Sequence, residues 1–183
     1  MANIDKNIDQ EISPYQEKVI NIDRVARVVK GGRRFRFKAL VVVGDGKKEV
    51  GVGVSKGADV QAAVQKAVDV AKKNMLVIPK YKDTIPHDTQ AKVAGANILI
   101  KPAGPGTGLI AGGVVRSILE MGGVHNVLSK SLGSSNKVNA AYATMDALRK
   151  LQTSDKWVTN QSKSELKPKT TLAKKVVKTK ESK

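Results

Sequence analysis

Hydrophobic and polar residues alternate with period 2 over the first third of the chain, a pattern typical of half-buried β-strands. Such runs cover residues 19–29, 34–43 and 50–54. The glycine turns Gly31-Gly32 and Gly44-Asp45-Gly46 separate them, and glycine adopts the positive φ angles that tight two-residue hairpins need. The pattern therefore predicts an antiparallel sheet of three strands, in which Gly51 and Gly53 permit close backbone approach.

The period changes to helical spacing after the third run. Apolar residues then recur at intervals of three or four, at Val60, Val64, Val68, Ala71 and Met75. Asp59 stands where an N-cap is expected. We expect one amphipathic helix here, covering one face of the sheet.

The same change of period occurs again after a proline-containing connection at residues 78–88. The expected elements are a strand at 96–101, a glycine-rich turn at 104–108, a helix at 109–121, a strand at 124–128 and a helix at 136–151. The fold class is therefore α+β, with two small modules in series.

The distribution of charge predicts the boundaries. Residues 1–17 hold four acids and one lysine, whereas residues 152–183 hold nine lysines and three acids. The tail segments have too few apolar residues to offset the entropy of ordering. We expect a flexible acidic tail at 1–14, a first module at 15–79, a second module at 80–151 and a basic, disordered tail at 152–183.

The formal net charge of +17 implies an acidic partner such as nucleic acid, an anionic membrane surface or an acidic protein. No apolar stretch approaches the roughly 20 residues that cross a bilayer, and the N-terminus lacks the features of a signal peptide. We therefore expect a cytoplasmic protein without a membrane partner. The absence of cysteine and the presence of only two histidines exclude disulfides and thiolate or histidine-rich zinc sites.

The most informative charge pattern is the first hairpin, where residues 24–38 hold seven basic residues and no acid. Such a run repels itself unless a counter-surface is present, and phosphates would release counterions on binding it. We predict that RNA binds Arg24, Arg27, Lys30, Gly31, Gly32, Arg33, Arg34 and Arg36, with Lys47 and Lys56 extending the surface. The cations of the second strand should lie on one face, and Phe35 and Phe37 on the other as core residues.

The glycine-rich segment of the second module partly fits a dinucleotide-binding motif, since residues 106–111 read G-x-G-x-x-A. The acidic residue expected about 20 positions further on is absent, and no Gly-Lys-Ser/Thr sequence completes a phosphate-binding loop. The glycines are better explained by a sharp turn and close packing. A glycine-loop phosphotransferase stays a minor alternative, but no set of residues forms an active site, so we expect neither an enzyme nor a cofactor.

Four motifs occur in the order Val-Val-Lys-Gly-Gly-Arg-Arg-Phe (28–35), Val-Val-Val-Gly-Asp-Gly (41–46), Gly-Thr-Gly-Leu-Ile-Ala-Gly-Gly (106–113) and Gly-Val-His-Asn-Val-Leu (123–128). Together they resemble the bacterial type of the small-subunit ribosomal protein S5 family over residues 15–151. The resemblance implies a first module similar to a double-stranded-RNA-binding domain and a second α+β module (βαβα) with a left-handed crossover.

The resemblance also implies a structural role in the ribosome. The partners would be small-subunit rRNA, the neighbouring proteins S4 and S8, and mRNA at the channel through which it enters, with an effect on translational accuracy. The hairpin would insert into rRNA, and the surface of Gly106, Gly108 and Arg116 would face S4. Neither a cofactor nor a homo-oligomer is implied. A free double-stranded-RNA-binding protein, acting outside ribosomes, is the second hypothesis.

Overall fold

The computed structural model describes residues 15–153, and these belong to one compact unit. Two four-stranded sheets and three helices lie in this range, so the predicted α+β class is confirmed. The expected tails at 1–14 and 152–183 fall outside the described residues, apart from Gln152 and Thr153.

The first sheet has the order β1-β2-β3-β4. Its antiparallel strands are β1 (Gln16–Val29), β2 (Gly32–Gly44), β3 (Glu49–Gly57) and the short β4 (Met75–Val77), and α1 (Val60–Lys73) connects the last two. The three expected strands are confirmed. The helix ends two residues before Met75, because Met75 pairs with Gly51 as part of a fourth strand too short to show a period.

Both faces of this sheet are covered over its central part. Ala39, Val41 and Val43 are buried against α1, while Leu40 and Val42 point to the other side and belong to the core of the second module. Close approach of α1 depends on glycine, since a Cβ at Gly53 or Gly51 would overlap with a backbone carbonyl of the helix. The expectation of close packing at these glycines is confirmed. Asp59 occupies the N-cap, but its side chain makes no capping hydrogen bond.

The second sheet has the order β5-β6-β8-β7. Its strands are β5 (Thr89–Val93), β6 (Ala96–Pro102), β7 (Leu109–Ile110) and β8 (Val127–Ser131), with α2 (Gly113–Met121) and α3 (Lys137–Arg149). Strand β7 runs parallel to β8 and α2 makes the crossover between them; the other pairs are antiparallel. Helix α2 contacts the first sheet, and α3 contacts β5 and β6 as well as β3. The helices therefore join the two sheets through a shared core.

Two expectations for the second module need correction, and one further strand was not expected. The helix expected from residue 109 begins at Gly113, because Leu109 and Ile110 pair with β8. Strand β8 starts three residues later than expected, since the backbone N–H groups of His125 and Asn126 instead donate to the Asp83 carbonyl. Strand β5 was not expected. The last helix is confirmed, with Asn136 as an N-cap whose side chain accepts from Val138 N.

Candidate nucleic-acid interface

The basic hairpin extends beyond the rest of the first sheet. Strands β1 and β2 pair from Gln16 with Gly44 to Val29 with Gly32, whereas β3 reaches only as far as Phe37. Beyond that point lies a two-stranded segment, which we call the distal ribbon (residues 24–36). At ~3.3 Å per residue, the five residues from Phe37 to Gly32 project it by roughly 17 Å.

The tip of the distal ribbon differs by one residue from the expected turn. Because Val29 pairs with Gly32, the two turn residues are Lys30 and Gly31 rather than Gly31 and Gly32. Gly31 has φ of +85°, the left-handed conformation that the second central residue of a type II turn requires. Lys30, Gly31 and Gly32 are all exposed, and no side chain lies over the two glycines. The tip of the ribbon is therefore narrow.

Strand register divides the distal ribbon into two faces. Arg27 lies opposite Arg34, and Arg36 lies opposite Val25 on the same side; we call Arg27, Arg34 and Arg36 the cationic face. The other side, the mixed face, carries Arg24, Arg33, Phe35, Ala26 and Val28. The expected separation is confirmed for Arg34 and Arg36 against Phe35 and Phe37, while Arg24 and Arg33 share the aromatic side.

The charges of the distal ribbon have no acidic counterpart within residues 15–153. None of its five arginines forms an ion pair there, and Lys30 is also without one. Arg27 and Arg34 face each other directly, an arrangement of like charges that costs free energy in a sheet. These cations are therefore available to an external anion.

Asp23, the acidic residue nearest to the distal ribbon in sequence, lies at the base of the ribbon. Asp23 binds Lys38 Nζ at 2.8 Å and accepts a hydrogen bond from Asn21 Nδ2 at 2.6 Å. The Lys38 ammonium, followed by the Asn21 amide, lowers the pKa of Asp23 below its ordinary value. Lys38 is thus neutralised inside the protein, whereas the arginines beyond it are not.

The structure separates the two lysines that were expected to extend the surface. Lys56 pairs with Lys38 at the base of the ribbon and is exposed. Lys47 lies in the turn between β2 and β3, at the opposite end of β2. The eight residues of β2 from the edge of the ribbon at Arg36 to Gly44 correspond to about 26 Å, so Lys47 is not part of one continuous surface with the ribbon.

Phe35 differs from the core position expected for it. Its side chain is 48% exposed, and the Arg24 guanidinium lies 3.8 Å from its ring centroid. Helix α1 begins at Val60, after β3 has ended opposite Phe37, so no element covers the ring. Phe37, one step nearer the sheet centre, packs against the buried residues beneath α1, as expected.

The predicted protein-contact residues of the second module lie around one turn. Gly106 and Gly108 have φ of +89° and +73°, so a side chain at either position would be strained. Arg116, in the first turn of α2, donates from Nη2 to the Leu109 carbonyl at 3.1 Å. The structure therefore brings Arg116 together with the end of the glycine turn, and leaves Gly106 and Arg116 exposed.

Two residues that sequence analysis missed hold this turn in place. Asn126 Oδ1 accepts from Gly108 N at 3.0 Å, and the Asn126 carbonyl accepts from Thr84 Oγ1 at 2.6 Å. Thr84 Oγ1 also accepts from Ala103 N at 3.3 Å. Asn126 is buried. Asn126 lies inside the strand expected at 124–128, but nothing in the sequence indicated its partner 18 residues earlier.

The geometry disfavours a nucleotide-binding loop. In such a loop the glycines lead directly into a helix whose free N–H groups hold phosphate. Here β7, Ala111 and Gly112 separate Gly108 from the start of α2. Within residues 15–153, no three His, Cys, Asp or Glu side chains are grouped to hold a metal ion. None of the helices in that range is long and apolar enough to span a membrane.

A basic α+β protein whose main projection carries unpaired arginines has the surface of a nucleic-acid-binding protein. Two family models match the chain: "Ribosomal protein S5, N-terminal domain" over residues 15–79, and "Ribosomal protein S5, C-terminal domain" over residues 91–161. The chain therefore belongs to the ribosomal protein S5 family. It is a protein of the small ribosomal subunit, located in the cytoplasmic ribosome, that binds rRNA and takes part in translation.

Proposed function

We propose that the distal ribbon is the principal rRNA contact of this protein. The observation that carries the proposal is the set of exposed basic side chains without an acidic partner in residues 15–153: Arg24, Arg27, Lys30, Arg33, Arg34 and Arg36. Each neutralised phosphate releases counterions and adds affinity independent of sequence. The narrow tip at Gly31 and Gly32 lets the backbone approach folded RNA closely.

The remaining lysines have different places in this proposal. Lys56 adds to the base of the ribbon because it lies beside Lys38. Lys47 lies at the other end of β2, so any rRNA that it binds is a different stretch from the one that the ribbon binds. The protein acts by binding alone and catalyses no reaction.

The second module supplies a protein contact in the same proposal. The surface formed by Gly106, Gly108 and Arg116 faces S4, and S8 is a further neighbour. Two observations support this contact. Asn126 anchors the glycine turn through its hydrogen bond from Gly108 N. Ile110, a large hydrophobic residue next to the turn, is 54% exposed. We place the protein beside the channel through which mRNA enters, where its contacts influence translational accuracy.

The ribbon contact is tested by replacing Arg33 and Arg34 with alanine. Binding of the full chain to a small-subunit rRNA transcript is measured at several salt concentrations. We expect weaker binding, and a slope of log affinity against log salt reduced by about one unit for each phosphate that is no longer neutralised.

The control removes the same charge elsewhere. Lys66→Ala with Lys73→Ala takes two exposed cations from α1, and neither lysine forms an ion pair in the described part of the chain. This variant should keep the parent slope. If the arginine variant also kept it, the distal ribbon would not be the phosphate-binding element.

The protein contact is tested by Arg116→Ala in assembled ribosomes. Loss of the bond to the Leu109 carbonyl and of the exposed charge should change decoding error more than it changes affinity for isolated rRNA. The measurement is a reporter of amino-acid misincorporation, with Lys92→Ala on β5 as the matched exposed cation. Equal error rates in Arg116→Ala and parent ribosomes would contradict the proposed role.

Sedimentation separates this function from that of a free double-stranded-RNA-binding protein. We expect the chain to migrate with small subunits after a moderate-salt wash. Recovery only from ribosome-free fractions would favour the second hypothesis.

A further inference from the structure

We infer that the mixed face of the distal ribbon is a base-stacking site, built from Phe35, Arg24 and Val28, that takes an unpaired nucleobase of RNA. The inference rests on the proposed function of the ribbon and adds a second type of contact to it. The cationic face neutralises phosphates, and the mixed face holds a base.

Exposure of apolar side chains on this face is the first observation. Phe35 is 48% exposed and Val28 is 77% exposed. Neither belongs to the two clusters of core residues or to the residues packed against them. Since Val28 lies opposite Arg33, two positions from Phe35, the two side chains are diagonal neighbours on one face. Together they form a small apolar surface at the end of a charged projection.

The position of Arg24 is the second observation. Its guanidinium lies 3.8 Å from the centroid of the Phe35 ring, well inside the range of a cation–π contact. The contact orients the ring and covers one of its sides. Phe35 is nevertheless 48% exposed and Arg24 is exposed as well, and an aromatic ring and a guanidinium are both flat groups on which RNA bases stack.

The surrounding charge selects the ligand. Residues 24–38 contain no acid, and Arg24 and Arg33 share the mixed face with the ring. A ligand for this face therefore combines negative charge with a flat, weakly polar group, which describes a nucleotide. Bases inside a duplex are stacked on each other and are not free to meet the ring, so the site fits a base from a loop, bulge or single strand.

The test uses the full chain and a single-stranded RNA oligonucleotide of adenosines with one central 2-aminopurine. Parent protein at saturation should change the 2-aminopurine fluorescence, because stacking on the ring alters it. Phe35→Leu keeps an apolar side chain without a ring and should bind about 5- to 150-fold more weakly, the range given by alanine replacement of stacking residues. Its salt slope should match that of the parent, since no charge is lost.

Two further variants make the result specific to the ring. Phe35→Tyr keeps an aromatic surface and should restore affinity and the fluorescence change. Tyr142→Leu removes a comparably exposed aromatic residue, 41% exposed on α3, and should have no effect. Circular dichroism of each variant verifies the fold.

The outcomes separate the two proposals. Unchanged 2-aminopurine fluorescence with saturating parent protein, or equal affinity of Phe35→Leu and parent, would overturn the base-stacking site. The phosphate contact would still stand if Arg33→Ala with Arg34→Ala lowered the salt slope. If that slope were unchanged as well, the ribbon would have neither function.

Discussion

The two halves of β2 differ in what covers them. Residues 39–44 are buried, with α1 on one side and the second module on the other. Residues 32–36 are exposed and are held by hydrogen bonds to β1 alone. An isolated two-stranded hairpin is only marginally stable in water. The comparison shows that the buried half anchors the strand, so that the exposed half can carry repelling charges without unfolding the sheet.

The largest expected effect is on β3, next to the buried half of β2, where Gly53 pairs with Val41. Gly53→Ala places a methyl group against the Ala67 carbonyl of α1, and the nearest atoms are backbone atoms of this helix, which have little room to move. We expect a loss of about 2–3 kcal/mol in the free energy of unfolding, as for other overpacked cores. The measurement is urea denaturation followed by circular dichroism.

Gly104→Ala is the matched control, because a Cβ at Gly104 meets no atom within 4 Å and its φ is not positive. Its free energy of unfolding should stay within about 0.5 kcal/mol of the parent value. Equal stability of the two variants would show that α1 does not need a glycine at position 53.

A smaller effect is expected at the turn between β2 and β3. Asp45 Oδ1 accepts hydrogen bonds from the backbone N–H groups of Lys47, Lys48 and Glu49 at 2.7–2.9 Å. Desolvation raises the pKa of Asp45, but these hydrogen bonds outweigh it and bring the pKa below its ordinary value. Asp45→Ala should lower the free energy of unfolding by about 1 kcal/mol at neutral pH, which is less than the roughly 1.5–3 kcal/mol typical of hydrogen bonds to charged groups because Asp45 is partly exposed.

The sign of the pH dependence follows from the lowered pKa. The folded state binds the Asp45 proton less readily than the unfolded state does, so the stabilisation is complete above the unfolded pKa of about 3.9. It is lost as the pH falls from there through the folded pKa. The difference between parent and Asp45→Ala should therefore shrink in acid, while Asp88→Ala, an exposed carboxylate, should show little difference at any pH. A difference in the free energy of unfolding between parent and Asp45→Ala that increased in acid would contradict this explanation.

The smallest effect on stability is expected in the exposed half. Arg27→Ala with Arg36→Ala removes two of the three charges of the cationic face, and neither arginine forms an ion pair in the range 15–153. Since Arg27 faces Arg34, relief of repulsion offsets any reduction in packing, and the free energy of unfolding should change by about 0.5 kcal/mol or less. A decrease above about 2 kcal/mol, measured by the same urea denaturation, would make these arginines structural.

Sequence alone predicted most elements where a period was long enough to detect. Strands β1 to β3, α1 and α3 follow from alternation, helical spacing and the Asn136 cap. Strands β4 and β7 were missed because two or three residues show no period, and their pairing depends on partners distant in the chain. Strand β5 has polar residues at alternate positions, Gln90 and Lys92, but it was missed because it directly follows a connection rich in turn residues.

The candidate site was predicted in composition better than in arrangement. The lack of acids in residues 24–38 was enough to indicate the cationic hairpin. The exposure of Phe35 was not predictable, because it depends on where α1 begins relative to the end of β3. The separation of Lys47 from the ribbon follows from the length of β2, which became clear only from its register with β1.

The most direct test of the central claim is a density map of the assembled small subunit that contains this protein. We expect rRNA phosphates within hydrogen-bonding distance, about 3 Å, of the guanidinium groups of Arg27, Arg34 and Arg36. The buried half of β2 should keep the packing described here. A distal ribbon that points into open solvent, with no RNA beside either face, would contradict the account.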